Sequence, residues 1–230
     1  MTAHRSLVLA VFLTVAPFVG GPVAADPAVD FRGGAVSAIG GSDTTLGWNF
    51  TVGVGSPITI GGLGVFDFGA DGLANSHGIG LWTSGGISLT STTITNTNST
   101  PVASTSTAGN WQSTPITPLV LLPGDYVVGA FYAANDADFI MFENPNTAPG
   151  TVSTLPGVTF GQSRFALGSS LMFPSGNNSF VTAGYFGPNL FTVVAAPPVP
   201  EPKTYAMLMA GLGLLGLIAR RRRKSLNAAA

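Results

Sequence analysis

The segment 67–77, DFGADGLANSH, packs two carboxylates, an amide and an imidazole among turn glycines. Calcium takes about six to eight oxygens, often from carboxylates of a single loop. Asp67 and Asp71 are therefore the candidate calcium ligands. The spacing departs from the EF-hand pattern: Gly69 stands where an oxygen is expected, and no Glu closes the loop. Asp and Asn also form turns through their own local hydrogen bonds, and that reading stands beside calcium. Asp136 and Asp138, in AANDAD, add oxygens if their loop folds nearby.

His77 is the sole histidine of residues 26–198. Beside the apolar run 79–82 it suits a structural hydrogen bond, with acid–base catalysis as the alternative. There is no GxSxG nucleophile motif. A glycosidase pair needs two carboxylates about 5–10 Å apart across a cleft. Asp67, Asp71, Asp125, Asp136, Asp138 and Glu143 are the pool, and most sit in turns. The expectation is a protein that is not an enzyme and uses no cofactor other than that calcium. A secreted hydrolase acting on polysaccharide or protein is the alternative. Exposed tryptophans stack on sugar faces and buried ones fill cores. Trp48 and Trp82 lie between apolar neighbours and are expected in the core. Trp111 follows a long polar loop and is the candidate for glycan stacking.

These groups sit in a body that reads as β. Runs such as 46–53, 58–68, 78–84, 87–95, 125–134, 137–143, 163–173, 180–186 and 190–195 are rich in Val, Ile, Thr and aromatics. Gly, Pro, Asn or Ser clusters bound each run. In 87–95, Ile87, Leu89, Ser91, Thr93 and Thr95 share one face, and Ile94 on the other hints at a bulge there. Ser84-Gly85-Gly86 reads as a hairpin turn. Segments 94–110 and 144–157 read as polar loops. No stretch between 26 and 200 holds helical period over three turns. The expected fold class is all-β, an antiparallel two-sheet sandwich, jelly-roll-like, over 26–196.

Composition narrows the partners. The chain has 230 residues, no cysteine and 8% charged residues. Between Asp26 and Pro202 there are ten acids and two bases, Arg32 and Arg164, giving 2 − 10 = −8. An acidic body argues against nucleic acid.

The two ends read differently. Residues 1–25 have a basic start at Arg5, an apolar stretch over 7–19, helix breakers and small residues. This is the layout of a signal helix cut by signal peptidase. Residues 197–204 form a proline-rich linker around Pro200, Glu201 and Pro202. Two prolines hold that peptide extended, in reach of a processing enzyme. Residues 205–219 are uncharged and are expected to form a single short membrane helix of about 22 Å. That is short of the roughly 30 Å hydrocarbon core, which suits a temporary anchor. Arg220, Arg221, Arg222, Arg223 and Lys224 open a basic tail, 220–230, expected to stay in the cytoplasm as a stop-transfer cluster.

The stretch VPEPKTYAMLMAGLGLLGLIARRRRK, 199–224, resembles a PEP-CTERM sorting signal. The resemblance implies export in a Gram-negative bacterium that makes exopolysaccharide, with a membrane-embedded exosortase as processing enzyme. The protein is then expected to sit transiently in the inner membrane and finish at the cell surface or in an extracellular, biofilm-type matrix. Exopolysaccharide is the expected partner of the body there. Within the body, about 43–142 resembles DUF4082, through LGWNFTVG, the HGIGLW segment and PLVLLPGDYVVGAFY. That family is similar to β-sandwich binding modules and implies no particular functional residues.

Overall fold

The computed structural model describes residues 25–37, 41–143, 150–177, 184–193, 207–216 and 220. The expected signal helix, the Pro200-Glu201-Pro202 motif and Arg221 to Lys224 lie outside the described residues. The strands in chain order are β1 (Val29–Gly33), β2 (Ala35–Ser37), β3 (Thr44–Val52), β4 (Ile58–Phe68) and β5 (His77–Thr83). They continue as β6 (Ser88–Ile94), β7 (Thr100–Val102), β8 (Gly109–Leu121), β9 (Gly124–Tyr132) and β10 (Ile140–Glu143). The last are β11 (Gly150–Thr154), β12 (Val158–Leu167), β13 (Gly176–Asn177), β14 (Gly184–Phe186) and β15 (Pro188–Thr192).

Two sheets make the sandwich. One has six strands, ordered β13-β12-β3-β9-β5-β6; the other has four, ordered β15-β4-β8-β7. A ribbon, β1-β11, and a small sheet, β14-β10-β2, accompany them. Every pairing is antiparallel. The expected all-β sandwich is therefore the observed class.

Alternation puts Trp48 and Phe50 of β3 on the inner face, with Ile79 and Leu81 of β5. Ile60, Leu63 and Phe66 of β4, Trp111 of β8, and Leu190 and Phe191 of β15 answer them from the second sheet. Trp48 Nε1 donates to the Pro188 carbonyl at 2.8 Å, a bond from one sheet to the other. Phe31 of the ribbon joins this core, with ring centroids 5.2 Å from Phe66 and 5.5 Å from Trp111.

The longest strand, β8, is the one that its sequence conceals. Pro115 and Pro118 argue against a strand because each removes a ladder donor. They are tolerated because the β4 register shifts there, with Ile60 opposite Leu119 and Gly62 opposite Pro115. On the other side, β7 pairs only with residues 111–113. β7 and β11 also lie inside segments that read as polar loops. The bulge expected near Ile94 falls at the other end of the hairpin, between Leu81 and Trp82. The face shared by Leu89, Ser91 and Thr93 is the exposed one. The 84–86 turn is as expected: Gly86 has φ 85° and donates to the Thr83 carbonyl at 2.9 Å.

The outer face of the six-stranded sheet is covered in its middle. Gly47, Gly129 and Gly80 are register partners across β3, β9 and β5, leaving a trough one residue wide. The Trp82 ring folds back over Gly80. An irregular strap, 168–175, crosses above. Its Pro174 lies against Gly129 and its Leu171 against Gly78. Phe173 meets Trp82 edge-on at 6.1 Å, and Met172 N donates to Thr45 Oγ1 at 3.2 Å. Trp82 is thus buried, as expected, but under the strap and not between the sheets.

Trp82→Ala empties the space between Gly80 and Phe173. The expected cost is about 3–5 kcal/mol, against a total stability of about 5–15 kcal/mol. Thermal melting by circular dichroism should show a drop on the order of 10 °C for a body of this size. A shift of about one degree would mean that the strap does not hold the ring.

Candidate functional site

The two loops with the densest oxygen ligands do meet, but around His77 and not around Asp71. The β9 to β10 loop carries Asp136 and Asp138 to the segment that precedes β5. Asp138 Oδ1 accepts from Ala74 N at 2.9 Å, and Oδ2 accepts from Asn75 N at 2.8 Å. His77 Nε2 lies 2.8 Å from the same Oδ2. Asp136 Oδ1 accepts from Asn75 Nδ2 at 2.8 Å and from Asp138 N at 3.0 Å; its Oδ2 accepts from Ala133 N at 3.3 Å. His77 Nδ1 lies 3.1 Å from the Phe131 carbonyl and 3.9 Å from Asp136 Oδ2. His77, Asp136 and Asp138 are all buried.

The electrostatics follow from these contacts. Burial alone raises the Asp138 pKa. The hydrogen bonds from His77, Ala74 and Asn75, with the attraction of His77, outweigh burial and hold the carboxyl below the usual aspartate value. An ionised Asp138 only accepts, and so does the Phe131 carbonyl. Both nitrogens of His77 therefore face acceptors. Tyr132 stacks obliquely on His77 with centroids 4.7 Å apart. Its hydroxyl is buried without a hydrogen-bond partner among the described residues, against Gly187. Burial, then the charges of Asp136 and Asp138, push its pKa well above the ordinary value.

Among the described residues these three are the one group whose ligand atoms lie close enough for a metal, within 4.8 Å of one another. Both Asp138 oxygens, both His77 nitrogens and Asp136 Oδ1 meet protein partners. A cation entering here must displace the His77–Asp138 bond. The arrangement is a closed lock between two loops.

The remaining expected site residues are placed as follows. Asp67 is buried, and its Oδ2 accepts from Gln112 Nε2 at 2.8 Å and Gly72 N at 3.1 Å. Asp71 is exposed. Of the two expected calcium ligands, one carboxylate is therefore buried and engaged and the other is at the surface. Trp111 is 0% exposed, and its Nε1 donates to Asp30 Oδ1 at 3.2 Å. It is a core residue and cannot stack on a glycan. The polar loop before it misleads, because Asp30 pulls that loop inward: Ser104 Oγ and Thr105 N both donate to its carboxylate at 2.6 Å.

The C-terminal segment lies outside the compact unit of residues 24–194. Residues 207–216 are helical and exposed, as is Arg220. That span is about 15 Å at roughly 1.5 Å per residue. No described helix is long and apolar enough to cross a membrane. A family model described as the PEP-CTERM protein-sorting motif matches residues 198–224. The chain carries a PEP-CTERM sorting motif. The PEP-CTERM match takes in Pro200, Glu201 and Pro202, the helix and the basic run 220–224. It marks an exported protein with membrane-associated processing by exosortase. The match covers the signal and not the body. No curated protein matches the chain significantly.

Folding lowers the Asp138 pKa, so its stabilisation is complete above the ordinary aspartate value, about 3.9, and is lost as the pH falls through the lower folded value. Urea unfolding should show wild-type stability falling below about pH 4. Asp138→Asn should flatten that fall, and at neutral pH should cost about 1–3 kcal/mol by leaving buried donors without an acceptor. An unchanged acid profile would mean that the lock does not form.

Proposed function

We propose that this is a non-enzymatic, exported β-sandwich protein that serves as a structural module outside the cell. The carrying observation is the sorting motif over 198–224. On this reading signal peptidase removes residues 1–25, and the 205–219 helix holds the chain in the inner membrane. The basic cluster 220–224 stays in the cytoplasm by the positive-inside rule. Exosortase then cuts near Pro200-Glu201-Pro202 and releases the body to the surface or matrix.

The body supports a structural role in three ways. Residues 24–194 form a compact unit with a core of their own. The histidine of that unit is fully buried and engaged on both nitrogens, which removes the obvious acid–base group from the hydrolase reading. All three tryptophans are buried. Association with exopolysaccharide on this reading runs through the hydroxyl-rich loops and not through tryptophan stacking.

Intact-mass measurement of the native extracellular protein should find both ends missing, with residues 1–25 and 220–224 absent. Secreted protein that still carries Arg220 to Lys224 would sink the reading. Changing Arg220, Arg221, Arg222 and Arg223 to Ser should remove about 1 kcal/mol of membrane-surface attraction per residue, together with the topology signal. Unprocessed protein should then accumulate in the periplasm. Sorting identical to wild type would take the tail out of the mechanism.

A further inference from the structure

The chain enters and leaves the β body at one place. Asp26 N donates to Thr192 Oγ1 at 3.3 Å, and Thr192 N donates to the Asp26 carbonyl at 3.1 Å, so entry and exit lie side by side. Val193 N then donates to the Thr59 carbonyl at 3.0 Å, which puts the exit at the start of β4. On the reading above, on which this inference rests, one of these ends continues into the signal helix and the other into the membrane anchor.

The turns at this end of the sandwich form one surface. Register joins Val52 to Gly124 and to Val158, so turns 53–57, 122–123 and 155–157 are neighbours. Gly53 N donates to the Gly157 carbonyl at 2.8 Å. Ser84 N donates to the Asp125 carbonyl at 3.0 Å, which adds the 84–86 turn. Turn positions ordinarily favour Gly, Pro, Asn, Asp and Ser. In or beside these turns stand Val54, Leu122 and Ile87, 95%, 63% and 69% exposed, with Pro57, Pro123 and Pro156 exposed among them. Val120 and Val193 carry the apolar surface up the outer side of the four-stranded sheet. Grouped exposure of this kind marks a contact surface. Two carboxylates border it, Asp26 and Asp125, and Asp125 Oδ1 accepts from Thr51 Oγ1 at 2.6 Å. The opposite end, where β3 begins and β4 and β9 finish, is the more acidic, with Asp43, Asp67, Asp71, Asp136 and Asp138.

Chain length selects the occupant. Val194 to Thr204 is eleven residues, which reach at most about 40 Å fully extended. The eleven residues of β4 alone span about 36 Å at roughly 3.3 Å each. An anchored body therefore brings its opposite end to the bilayer only with the tether pulled nearly straight, at a cost in chain entropy. The end that carries the apolar turns meets lipid with the tether slack.

We propose that, while the chain is anchored, this end of the sandwich lies on the lipid surface, with Val54, Leu122 and Ile87 in the interfacial layer. Apolar side chains enter that layer without help from anionic lipid, which the negative body meets with repulsion. Few side chains take part, so the contact depends on the high effective concentration that the tether supplies. Cutting the tether removes that concentration, and the body then leaves the membrane.

The chain has no cysteine, so one introduced thiol carries the sole label. Ser56→Cys and Ser84→Cys place a polarity-sensitive fluorophore among the apolar side chains, which stay intact. Ser42→Cys, exposed just before β3, places it at the opposite end. The full chain is reconstituted in phosphatidylcholine vesicles that contain lipid spin-labelled near the headgroup. Emission at 56 and 84 should move to the blue and be quenched by the labelled lipid, while emission at 42 stays that of a water-exposed label. Val54→Asp combined with Leu122→Asp should abolish both effects, with circular dichroism unchanged. Vesicle flotation separates the two readings. A chain that does not float overturns the anchor and this inference together; a chain that floats with unshifted, unquenched labels at 56 and 84 overturns this inference alone. A blue shift without lipid quenching assigns the surface to a protein partner, and equal quenching at all three positions removes the preference for one end. Either result also overturns the proposal.

Discussion

The buried carboxylate that accepts backbone N–H groups is the interaction on which this fold turns. With two basic residues across 26–202, its acids cannot be neutralised by salt bridges. They are neutralised by amides instead. Asp138 gathers Ala74, Asn75 and His77. Asp30 gathers Ser104, Thr105 and Trp111. Asp67 gathers Gly72 and Gln112. Each draws an irregular segment onto the sandwich, and each would be costly to bury without those donors. Loops that composition alone would leave free are therefore part of the core's wall.

Packing on the other side follows from the absence of side chains. The row of Gly47, Gly129 and Gly80 makes a channel that the Trp82 ring and Pro174 fill. A Cβ on Gly47 would fall 2.0 Å from the Val128 carbonyl oxygen, so the backbone itself needs glycine there. The six-stranded sheet is thus covered over the middle of both faces.

What was legible in the sequence was what is local. Alternating β-branched and aromatic runs located β3, β4, β5, β6 and β9 to within about two residues. The sorting signal was legible because its three parts are contiguous. Long-range choices were not. The bond of His77 to Asp138 joins residues 61 apart, and no spacing rule links them. Trp111 looked exposed because its neighbours are polar, yet Asp30, 81 residues away, takes its N–H into the core. β8 was hidden by Pro115 and Pro118, whose missing donors are harmless only because of the register shift opposite Ile60 and Gly62. The reach of the terminal helix lies in residues that the structure does not describe.

The scarcity of basic residues has an outcome for life outside the cell. Proteases whose specificity pocket presents an acid cut after Lys or Arg. In residues 26–202 they find Arg32 and Arg164 and no others. Arg32 lies in β1, paired with Thr151 of β11. Arg164 lies in β12 between Gly47 of β3 and Asn177 of β13. A cleft accepts an extended peptide, so a strand must first leave its sheet before either bond can be cut. Digestion at these two points scales with the fraction of time that the strand spends out of its sheet. The composition that leaves the body short of counter-ions also leaves it with few places to be cut.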